Sequence, residues 1–317
     1  MKIGFVGASG YGNVGDNTYP LIFSRHLPEH EVLFFNSDLP DEMPADIDLL
    51  VLGGGGLLYN NPEGEDESAP SPHFLKMEYY MKWAVTSGVP FGFVSCGFQF
   101  RPAHEPRFRE ALKLWVPYFE RAHFITLRSR KCVSLMHELV GREVAQFYPD
   151  AAYLMPGMVD EAASWSGGGL TIVVAGRVSA SNPLCKRFAG FFGSMKHETA
   201  WLSMGAPIDD EQQLSLARQQ YPGARVIEAP TPQEAYLHIA RSKLVITGRY
   251  HGMVFARASG VPFYFPEEVP YKLRSEDFDV DPAGAIGHIT VLREALAKLG
   301  AKSTAPAMLA GAPDLAS

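Results

Sequence analysis

The sequence predicts an α/β protein built from two Rossmann-like domains that face each other across a cleft. Short apolar runs alternate with amphipathic stretches in both halves of the chain, which favours βαβ crossovers and parallel sheets covered on both faces. The length of 317 residues suits two domains of the usual ~100–200 residues. Parallel α/β domains bind ligands at the carboxyl ends of their strands, so the cleft is the first place to search for a site.

The first half contains five apolar runs typical of buried strands, with helical patterns between them. Strands are expected at 3–6, 31–35, 48–52, 89–95 and 123–126. Helices are expected at 17–27, 74–86, 106–119 and 129–139. This alternation predicts a first domain over residues 1–150.

The second half repeats the same rhythm after a stretch rich in Gly and Ser. Strands are expected at 170–175, 199–204, 225–227, 244–247 and 262–265, and helices at 183–195, 209–220, 232–241 and 251–259. We therefore predict a linker over 151–169, a second domain over 170–300 and a disordered tail over 301–317. Residues 60–72 are acidic and rich in Pro, Gly and Ser, which is typical of a loop or an active-site flap.

Composition excludes several classes of protein. Hydrophobic residues make up 46% and charged residues 20%, as in ordinary globular chains, and the net charge of −7 argues against a protein that coats nucleic acid. No apolar stretch approaches the ~18 residues of a membrane-spanning helix, and the start lacks the apolar core of a signal peptide. Cys96, Cys132 and Cys185 form no CxxC motif, so we expect reduced thiols in the cytoplasm.

Two glycine-rich segments follow predicted strands of the first domain. Residues 10–15 fit the dinucleotide pattern G-x-G-x-x-G, with Asp38 further along, which would indicate an NAD(P)-dependent reductase. Asp16, however, lies where the helix should begin, and a carboxylate there would repel a phosphate. The second segment, Gly53 to Gly56, is expected to let the backbone approach a ligand at the carboxyl end of the third strand.

Basic side chains are predicted at strand ends of both domains. Arg249 and His251 follow the apolar run 244–247, and Gly252 removes a side chain where a substrate could approach. An arginine can hold a carboxylate or phosphate through two hydrogen bonds, and a histidine can transfer protons near neutral pH. Arg128 ends the fifth strand, and Lys272 follows the last one. Such a cluster would attract a small dianion into the cleft.

Taken together, these motifs resemble the polysaccharide pyruvyl transferase family. The matching pieces are Tyr11-Gly-Asn13-Val-Gly15-Asp16, residues 48–57, Leu127-Arg128, Pro149-Asp150, Arg249-Tyr-His251-Gly252, Phe255-Ala256, Gly260-Val-Pro262 and Lys272-Leu273. They occur in the family's order and cover nearly the whole chain up to Lys272. The resemblance implies a GT-B-like fold and phosphoenolpyruvate as the donor of a pyruvyl group.

The resemblance also implies the roles of residues. It implies that His251 donates or accepts the proton and that Arg249, Lys272 and Arg128 hold the anionic groups of the donor. The other expected substrate-binding residues are Asn13, Gly15, Asp16, Gly54, Gly55, Gly56 and Gly252. The implied partners are phosphoenolpyruvate and a saccharide acceptor, free or lipid-linked. A lipid-linked acceptor would bring the protein to the inner face of the membrane.

Phosphoenolpyruvate fits these residues chemically, because it carries a carboxylate and a phosphate that need at least two cationic groups. Nothing in the ketal-forming reaction requires a metal or another cofactor, and no ligand cluster stands out in the sequence. Three alternatives stay open: a nucleotide-sugar glycosyltransferase of the same layout, an NAD(P)-dependent reductase and a non-catalytic glycan-binding protein. The acceptor sugar and the oligomeric state are left undetermined by the sequence.

Overall fold

The computed structural model describes residues 1–10, 12–35, 43–60, 70–99, 105–159, 169–174, 199–205, 211, 214–215, 218–219, 225–229, 231–264 and 280–304. Over these residues the chain forms two parallel sheets, one in each domain. This confirms the predicted fold class. No helix in the described part of the chain is long and apolar enough to cross a membrane.

The sheet of the first domain has six described strands in the order β2-β1-β3-β4-β5-β6. Their bounds are β1 Lys2–Val6, β2 Glu31–Phe35, β3 Leu49–Leu58, β4 Phe91–Phe98, β5 Ile125–Leu127 and β6 Gln146–Phe147. The helices of this half are α1 Thr18–His26, α2 Pro72–Ser87, α3 Glu105–Leu112, α4 Val116–Phe119 and α5 Arg130–Val140. The strand order reverses between β1 and β3, so the loops after these strands open a crevice.

The sheet of the second domain has five described strands in the order β11-β10-β7-β8-β9. Their bounds are β7 Thr171–Val174, β8 Thr199–Ser203, β9 Arg225–Glu228, β10 Leu244–Thr247 and β11 Phe263–Tyr264. The described helices are α6 Pro232–Ala240, α7 Tyr250–Ala258 and α8 Ile286–Thr304. Here the order reverses between β7 and β10, and the segment that carries Arg249 and His251 leaves β10 at this point. The helices expected at 183–195 and over most of 209–220 lie outside the described residues.

The glycine run of the first domain differs from the expectation. It was predicted to follow the third strand, yet β3 continues through Gly53 to Leu58, and every residue of the strand is buried. Gly54 and Gly55 take positive φ angles of 80° and 89°, and the pairing with β4 shifts register between Gly55 and Leu58. Glycine tolerates this backbone conformation, so the strand bends without ending.

The predicted linker begins as a buried element. Ala151–Met158 forms a 3₁₀ helix, called the wedge below. Ala152 and Met155 pack with the core of the second domain, whereas Ala151 packs with the apolar cluster between α1 and the first sheet. The wedge therefore joins the two cores, and residues 160–168 of the linker lie outside the described part.

The last helix, α8, packs against the first domain, although its residues up to 300 were assigned to the second. Its buried residues Ile289, Leu292 and Leu296 share a cluster with Ile3 of β1. Arg293 donates a hydrogen bond to the carbonyl of His26 at 2.6 Å. The apolar spacing of α8 indicates a helix but not the domain that it covers. Residues 301–304 continue the helix, and residues 305–317 lie outside the described part.

A buried histidine on α8 gives the fold a predicted pH dependence. Burial lowers the pKa of His288 to about 4, and its Nδ1 lies 2.7 Å from the hydroxyl of Thr126. The unfolded chain takes up this proton near pH ~6.5, so the free energy of unfolding should fall as pH drops from ~6.5 to ~4, by about 3 kcal/mol.

The measurement is urea unfolding of wild type and His288→Gln across this pH range. Glutamine can keep a hydrogen bond to Thr126 but does not titrate, so the variant should show a shallower decline in stability on acidification. If the free energy of unfolding fell equally in both proteins on acidification, the pH dependence could not be assigned to His288.

Candidate active site

The side chain of His251 lies between the two domains. His251 follows β10 in the second domain and is 7% exposed. Its Nε2 lies 3.1 Å from the hydroxyl of Tyr19 on α1, and its Nδ1 lies 3.8 Å from Oδ1 of Asp16 in the loop before α1. A histidine of the second domain therefore contacts the strand-end region of the first, which places an imidazole where the two switch points meet.

The first-domain loop also touches the second domain through its backbone. The Val14 N–H donates to the carbonyl of Met204, just after β8, at 2.9 Å. Gly15 sits directly under the imidazole, because a Cβ at this position would overlap His251. Glycine at residue 15 thus permits the close approach of the two domains rather than a turn with positive φ.

A buried ion pair lies next to His251 and is connected to it through Tyr19. Arg128, at the end of β5, donates from Nη1 to Oδ2 of Asp150 at 2.8 Å, and the side chains are 9% and 0% exposed. The hydroxyl of Tyr19 lies 3.0 and 2.9 Å from the two carboxylate oxygens of Asp150 and 3.3 Å from Nη1 of Arg128. The guanidinium also stacks on the ring of Tyr250, 4.3 Å from its centroid. Tyr19 consequently connects the ion pair to His251.

Asp150 is held in place by the start of the wedge. Its Oδ1 accepts the N–H of Ala152 at 2.9 Å, so Asp150 is the N-cap of this 3₁₀ helix. The N–H of Ala151, which directly follows Asp150, donates to the hydroxyl of Ser95 at 2.9 Å. Ser95 has a φ of 54°, an uncommon conformation for a residue with a side chain. These two hydrogen bonds fix the backbone that follows Asp150.

The ionisation states of this cluster follow from burial and mutual contact. Burial by itself raises the pKa of Asp150, but the charges of Arg128 and His251 outweigh it and hold this pKa below its usual range. Burial opposes the charge of Arg128, yet its neighbours Tyr250, Tyr19 and Asp150 leave its pKa well above the ordinary value. Burial and the Asp150 charge raise the pKa of Tyr19. Near neutral pH the cluster thus holds a carboxylate, a guanidinium and a neutral hydroxyl.

Asn13 and Asp16 act as a pair in the loop before α1. The Asn13 amide donates to Oδ2 of Asp16 at 2.6 Å, and its carbonyl oxygen accepts the Gly15 N–H at 3.1 Å. The Asp16 side chain is 20% exposed and presents its other oxygen towards His251. Asn13 thus orients a carboxylate that can stabilise a protonated imidazole.

The glycines of the predicted site make room for neighbouring side chains. A Cβ at Gly54 would overlap the ring of Tyr19, and one at Gly55 would lie 3.2 Å from Oδ1 of Asp16. A Cβ at Gly56 would overlap Gln99, and one at Gly252 would overlap the hydroxyl of Thr247. Gly252 was expected to leave space for a substrate, whereas in the structure it lets α7 pack against β10.

The structure describes two of the three expected cations, Arg128 and Arg249. Arg128 lies in the cluster, but its Nη1 is engaged with Asp150 and Tyr19. Arg249 is the half-buried N-cap residue of α7, and its backbone N–H donates to the hydroxyl of Thr247 at 3.0 Å. The described residues do not include Lys272, Asp38, Tyr11 or most of the segment 60–72. The donor-holding roles of Arg128, Arg249 and Lys272 stay predictions.

Sequence reasoning singled out neither Tyr19 nor Asp150 as a functional residue. Tyr19 lies on the apolar face of α1, where an aromatic residue indicates core packing. Asp150 appeared only in the motif Pro149-Asp150, although an acidic residue just before the apolar run 151–155 was a signal for a buried partner. Cys96 and Cys132 are thiols, and Cys185 lies outside the described part. Among the described residues, no group of three His, Cys, Asp or Glu side chains could hold a metal.

Two parallel α/β domains that meet at their strand ends define a GT-B-like architecture, which solved sugar epimerases share. The comparison with protein families is more specific. The chain belongs to the polysaccharide pyruvyl transferase family, whose model matches residues 16–265. The protein is thus a transferase of polysaccharide biosynthesis. No curated protein sequence matches the chain significantly.

Solved structures share the fold at low identity. A putative UDP-N-acetylglucosamine 2-epimerase from Listeria monocytogenes has a TM-score of 0.56 and 12% identity, covering 94% of this chain and 88% of its own. MnaA from S. aureus, solved with UDP, has a TM-score of 0.53 and 12% identity, with 84% and 78% covered. The UDP-GlcNAc 2-epimerase from Neisseria meningitidis has a TM-score of 0.51 and 9% identity, with 93% of its chain covered. These likenesses show the fold alone.

Proposed function

We propose that the protein transfers a pyruvyl group from phosphoenolpyruvate to two hydroxyls of a saccharide and forms a cyclic ketal. The observation that carries the proposal is the position of His251 at the carboxyl end of β10, against Asp16 and Tyr19 of the other domain, in a member of the pyruvyl transferase family. His251 is the proposed acid and base of the reaction.

The reaction begins when His251 protonates the methylene carbon of phosphoenolpyruvate. The cationic centre that forms at the second carbon is attacked by one sugar hydroxyl, whose proton returns to His251. The bond between the second carbon and the bridging oxygen of the phosphate then breaks, and phosphate leaves with the electron pair of this bond. The second hydroxyl bonds to the same carbon, and its proton leaves with the phosphate. One imidazole beside a carboxylate can serve these proton transfers.

The anionic groups of the donor require cations in the cleft. We assign this role to Arg249 and Lys272, with Arg128 acting through the guanidinium nitrogens other than Nη1. Positive charge beside the departing phosphate stabilises the charge that develops on it. Arg249 is the N-cap residue of α7, so the backbone N–H groups of the first helical turn follow it directly and can add to the binding of an anion.

The acceptor is proposed to be a saccharide with two neighbouring hydroxyls, free or linked to a lipid. A lipid-linked acceptor would place the reaction at the cytoplasmic face of a membrane. The proposed reaction uses no metal and no cofactor besides its two substrates.

The test of this function is phosphate release from phosphoenolpyruvate with a panel of saccharide acceptors, followed by mass analysis of the acceptor. We expect phosphate release that depends on the acceptor and an acceptor that gains one pyruvyl group as a ketal. Phosphate release without a modified acceptor, or neither signal with any acceptor, would contradict the proposal.

A second candidate is a nucleotide-sugar glycosyltransferase, because structures of the same fold bind UDP or UDP-GlcNAc. Thermal protection separates the two functions: phosphoenolpyruvate should raise the melting temperature under the first proposal, and UDP under the second. The NAD(P)-dependent reductase is less favoured, since Asp16 is directed towards His251 at the helix start where a diphosphate would bind. A glycan-binding protein would bind acceptor without releasing phosphate.

Gly15→Ala is expected to lower kcat for pyruvyl transfer by about 10²-fold. A Cβ at residue 15 would overlap the imidazole of His251 and displace it, and a displacement of ~1 Å is enough for such a loss. The measurement is acceptor-dependent phosphate release by the variant.

The matched control is Gly157→Ala, because a Cβ at residue 157 meets no atom within 4 Å. This variant should retain the wild-type rate. Equal rates for Gly15→Ala and the control would show that the position of His251 does not matter for turnover.

A further inference from the structure

We propose that Tyr19 and Asp150 hold His251 with a hydrogen on Nε2, so that Nδ1 is the nitrogen that gives and takes the catalytic proton. This inference rests on the proposed role of His251 as acid and base. Tyr19 and Asp150 are positioning residues here, because they act through the imidazole and not on the substrate.

The Tyr19 oxygen can take part in only a fixed number of hydrogen bonds. A phenol has one hydrogen to donate and two lone pairs that accept. Among the described residues, four polar atoms lie within hydrogen-bond distance of this oxygen: both carboxylate oxygens of Asp150 at 3.0 and 2.9 Å, Nη1 of Arg128 at 3.3 Å and Nε2 of His251 at 3.1 Å.

These contacts leave one assignment of hydrogens. An ionised carboxylate can only accept, so Tyr19 donates its single hydrogen to Asp150. A guanidinium can only donate, so Arg128 takes one lone pair of the Tyr19 oxygen. The hydroxyl then has no hydrogen left for His251, and the remaining lone pair must accept one from Nε2. His251 is therefore either the neutral Nε2–H form or the imidazolium.

Asp150 is ionised because its other contacts are donors as well. Its Oδ1 accepts the N–H of Ala152, and its Oδ2 accepts Nη1 of Arg128. Both oxygens are thus bound by donors, and the ion pair with Arg128 keeps the pKa of Asp150 low.

Nδ1 of His251, the nitrogen that exchanges its proton, faces the loop 12–16 of the first domain. Nδ1 faces Oδ1 of Asp16 at 3.8 Å and lies close to Gly15. Protonation of Nδ1 therefore produces an imidazolium between two carboxylates, Asp16 directly and Asp150 through Tyr19. This arrangement places the transferred proton towards the loop 12–16, and the reacting carbon of the donor should be found there.

The groups that face His251 come from several elements. Asp16 and Tyr19 belong to the loop and helix of the first domain, and Asp150 begins the wedge. Arg128 ends β5 and reaches the imidazole through the hydroxyl of Tyr19. Tyr250, whose ring centroid lies 5.4 Å from that of His251, begins α7. Charges of both signs thus lie near the imidazole, and hydrogen-bond geometry determines the tautomer.

Nitrogen NMR of protein labelled at the histidine ring nitrogens tests the assignment without any substrate. The His251 signals are identified by their loss in His251→Gln. In its neutral form, wild-type His251 should show a protonated Nε2 and an unprotonated Nδ1. The opposite pattern would overturn the proposal.

Two conservative variants should change this pattern in a defined way. Tyr19→Phe removes the acceptor of the Nε2 hydrogen, and a mixture of both tautomers is expected. In Asp150→Asn the amide can donate to the Tyr19 oxygen, so the phenol hydrogen becomes available for Nε2 and the neutral ring should shift towards the Nδ1–H form. An unchanged tautomer in both variants would contradict the inference.

Kinetics give the second readout. Tyr19→Phe should lower kcat by about 10- to 100-fold, less than loss of His251 itself, with little change in the KM for phosphoenolpyruvate. Its pH–rate profile should shift relative to wild type, which a purely structural loss would not produce. The matched control is Tyr80→Phe, a buried tyrosine on α2 that should keep kcat and the pH profile. A loss confined to KM, with an unshifted profile, would contradict the positioning role.

The two proposals can fail separately. If the NMR pattern is as expected but no acceptor supports phosphate release, the tautomer assignment stands and the pyruvyl transfer does not. If transfer occurs while His251 carries its hydrogen on Nδ1, the function stands and the positioning role of Tyr19 is wrong.

Discussion

Replacement of His251 with glutamine is expected to lower kcat for pyruvyl transfer by about 10²- to 10⁴-fold, the usual contribution of a positioned acid or base. Glutamine can still donate a hydrogen bond to Tyr19 but cannot take up a proton. His251 is 7% exposed and contacts residues of both domains, so alanine at this position would also leave a cavity. Glutamine therefore separates the loss of proton transfer from a loss of packing.

The measurement compares acceptor-dependent phosphate release with thermal stability in the same preparation. His137→Gln is the control, because His137 on α5 is half-buried and its Nε2 lies 3.0 Å from the carbonyl of Ala145, outside the cluster. The control should keep wild-type turnover. Turnover by His251→Gln within a few-fold of wild type would remove His251 from the mechanism.

Asp150→Ala is expected to give the largest loss of stability, with a free energy of unfolding lower by about 3–5 kcal/mol. The substitution leaves the guanidinium of Arg128, whose side chain is 9% exposed, without its carboxylate. It also removes the N-cap of the wedge, so the Ala152 N–H loses its acceptor. Urea unfolding at neutral pH measures the change.

A double variant and a surface control separate the causes. Arg128→Met with Asp150→Leu removes both charges and should recover much of the lost stability, since well-packed apolar side chains can replace a buried ion pair. Glu110→Ala breaks the exposed pair with Lys113, whose Nζ–Oε2 distance is 2.6 Å, and should change stability little. A similar small effect for Asp150→Ala would show that the buried pair does not stabilise the fold.

The alternation of strands and helices could be predicted from sequence because apolar periodicity is a local property. It located β1, β2, β10, α1 and α7 to within a residue or two. The end of β3 could not be predicted in this way. Glycine usually interrupts a strand, but Gly53 and Gly55 pair with Val94 and Cys96 of β4, which are distant in sequence.

The site was predicted from the residues whose chemistry is visible in a short motif. His251, Asp16 and Arg128 were identified, and the structure places them around one cluster. The interaction between Arg128 and Asp150 was not anticipated, because the sequence does not show which carboxylate meets a given arginine. Tyr19 was missed for the same reason. The ring of Tyr19 is buried in the core, and its proposed role depends on its hydroxyl, whose partners are distant in sequence.

The wedge has a consequence for how the molecule folds. Its apolar side chains belong to both cores, and α8 returns from the second domain to cover the first sheet. Neither half can therefore lose its structure without uncovering apolar surface of the other. The two halves should behave as one cooperative unit with a single melting transition, and an isolated fragment that ends near residue 160 should be aggregation-prone.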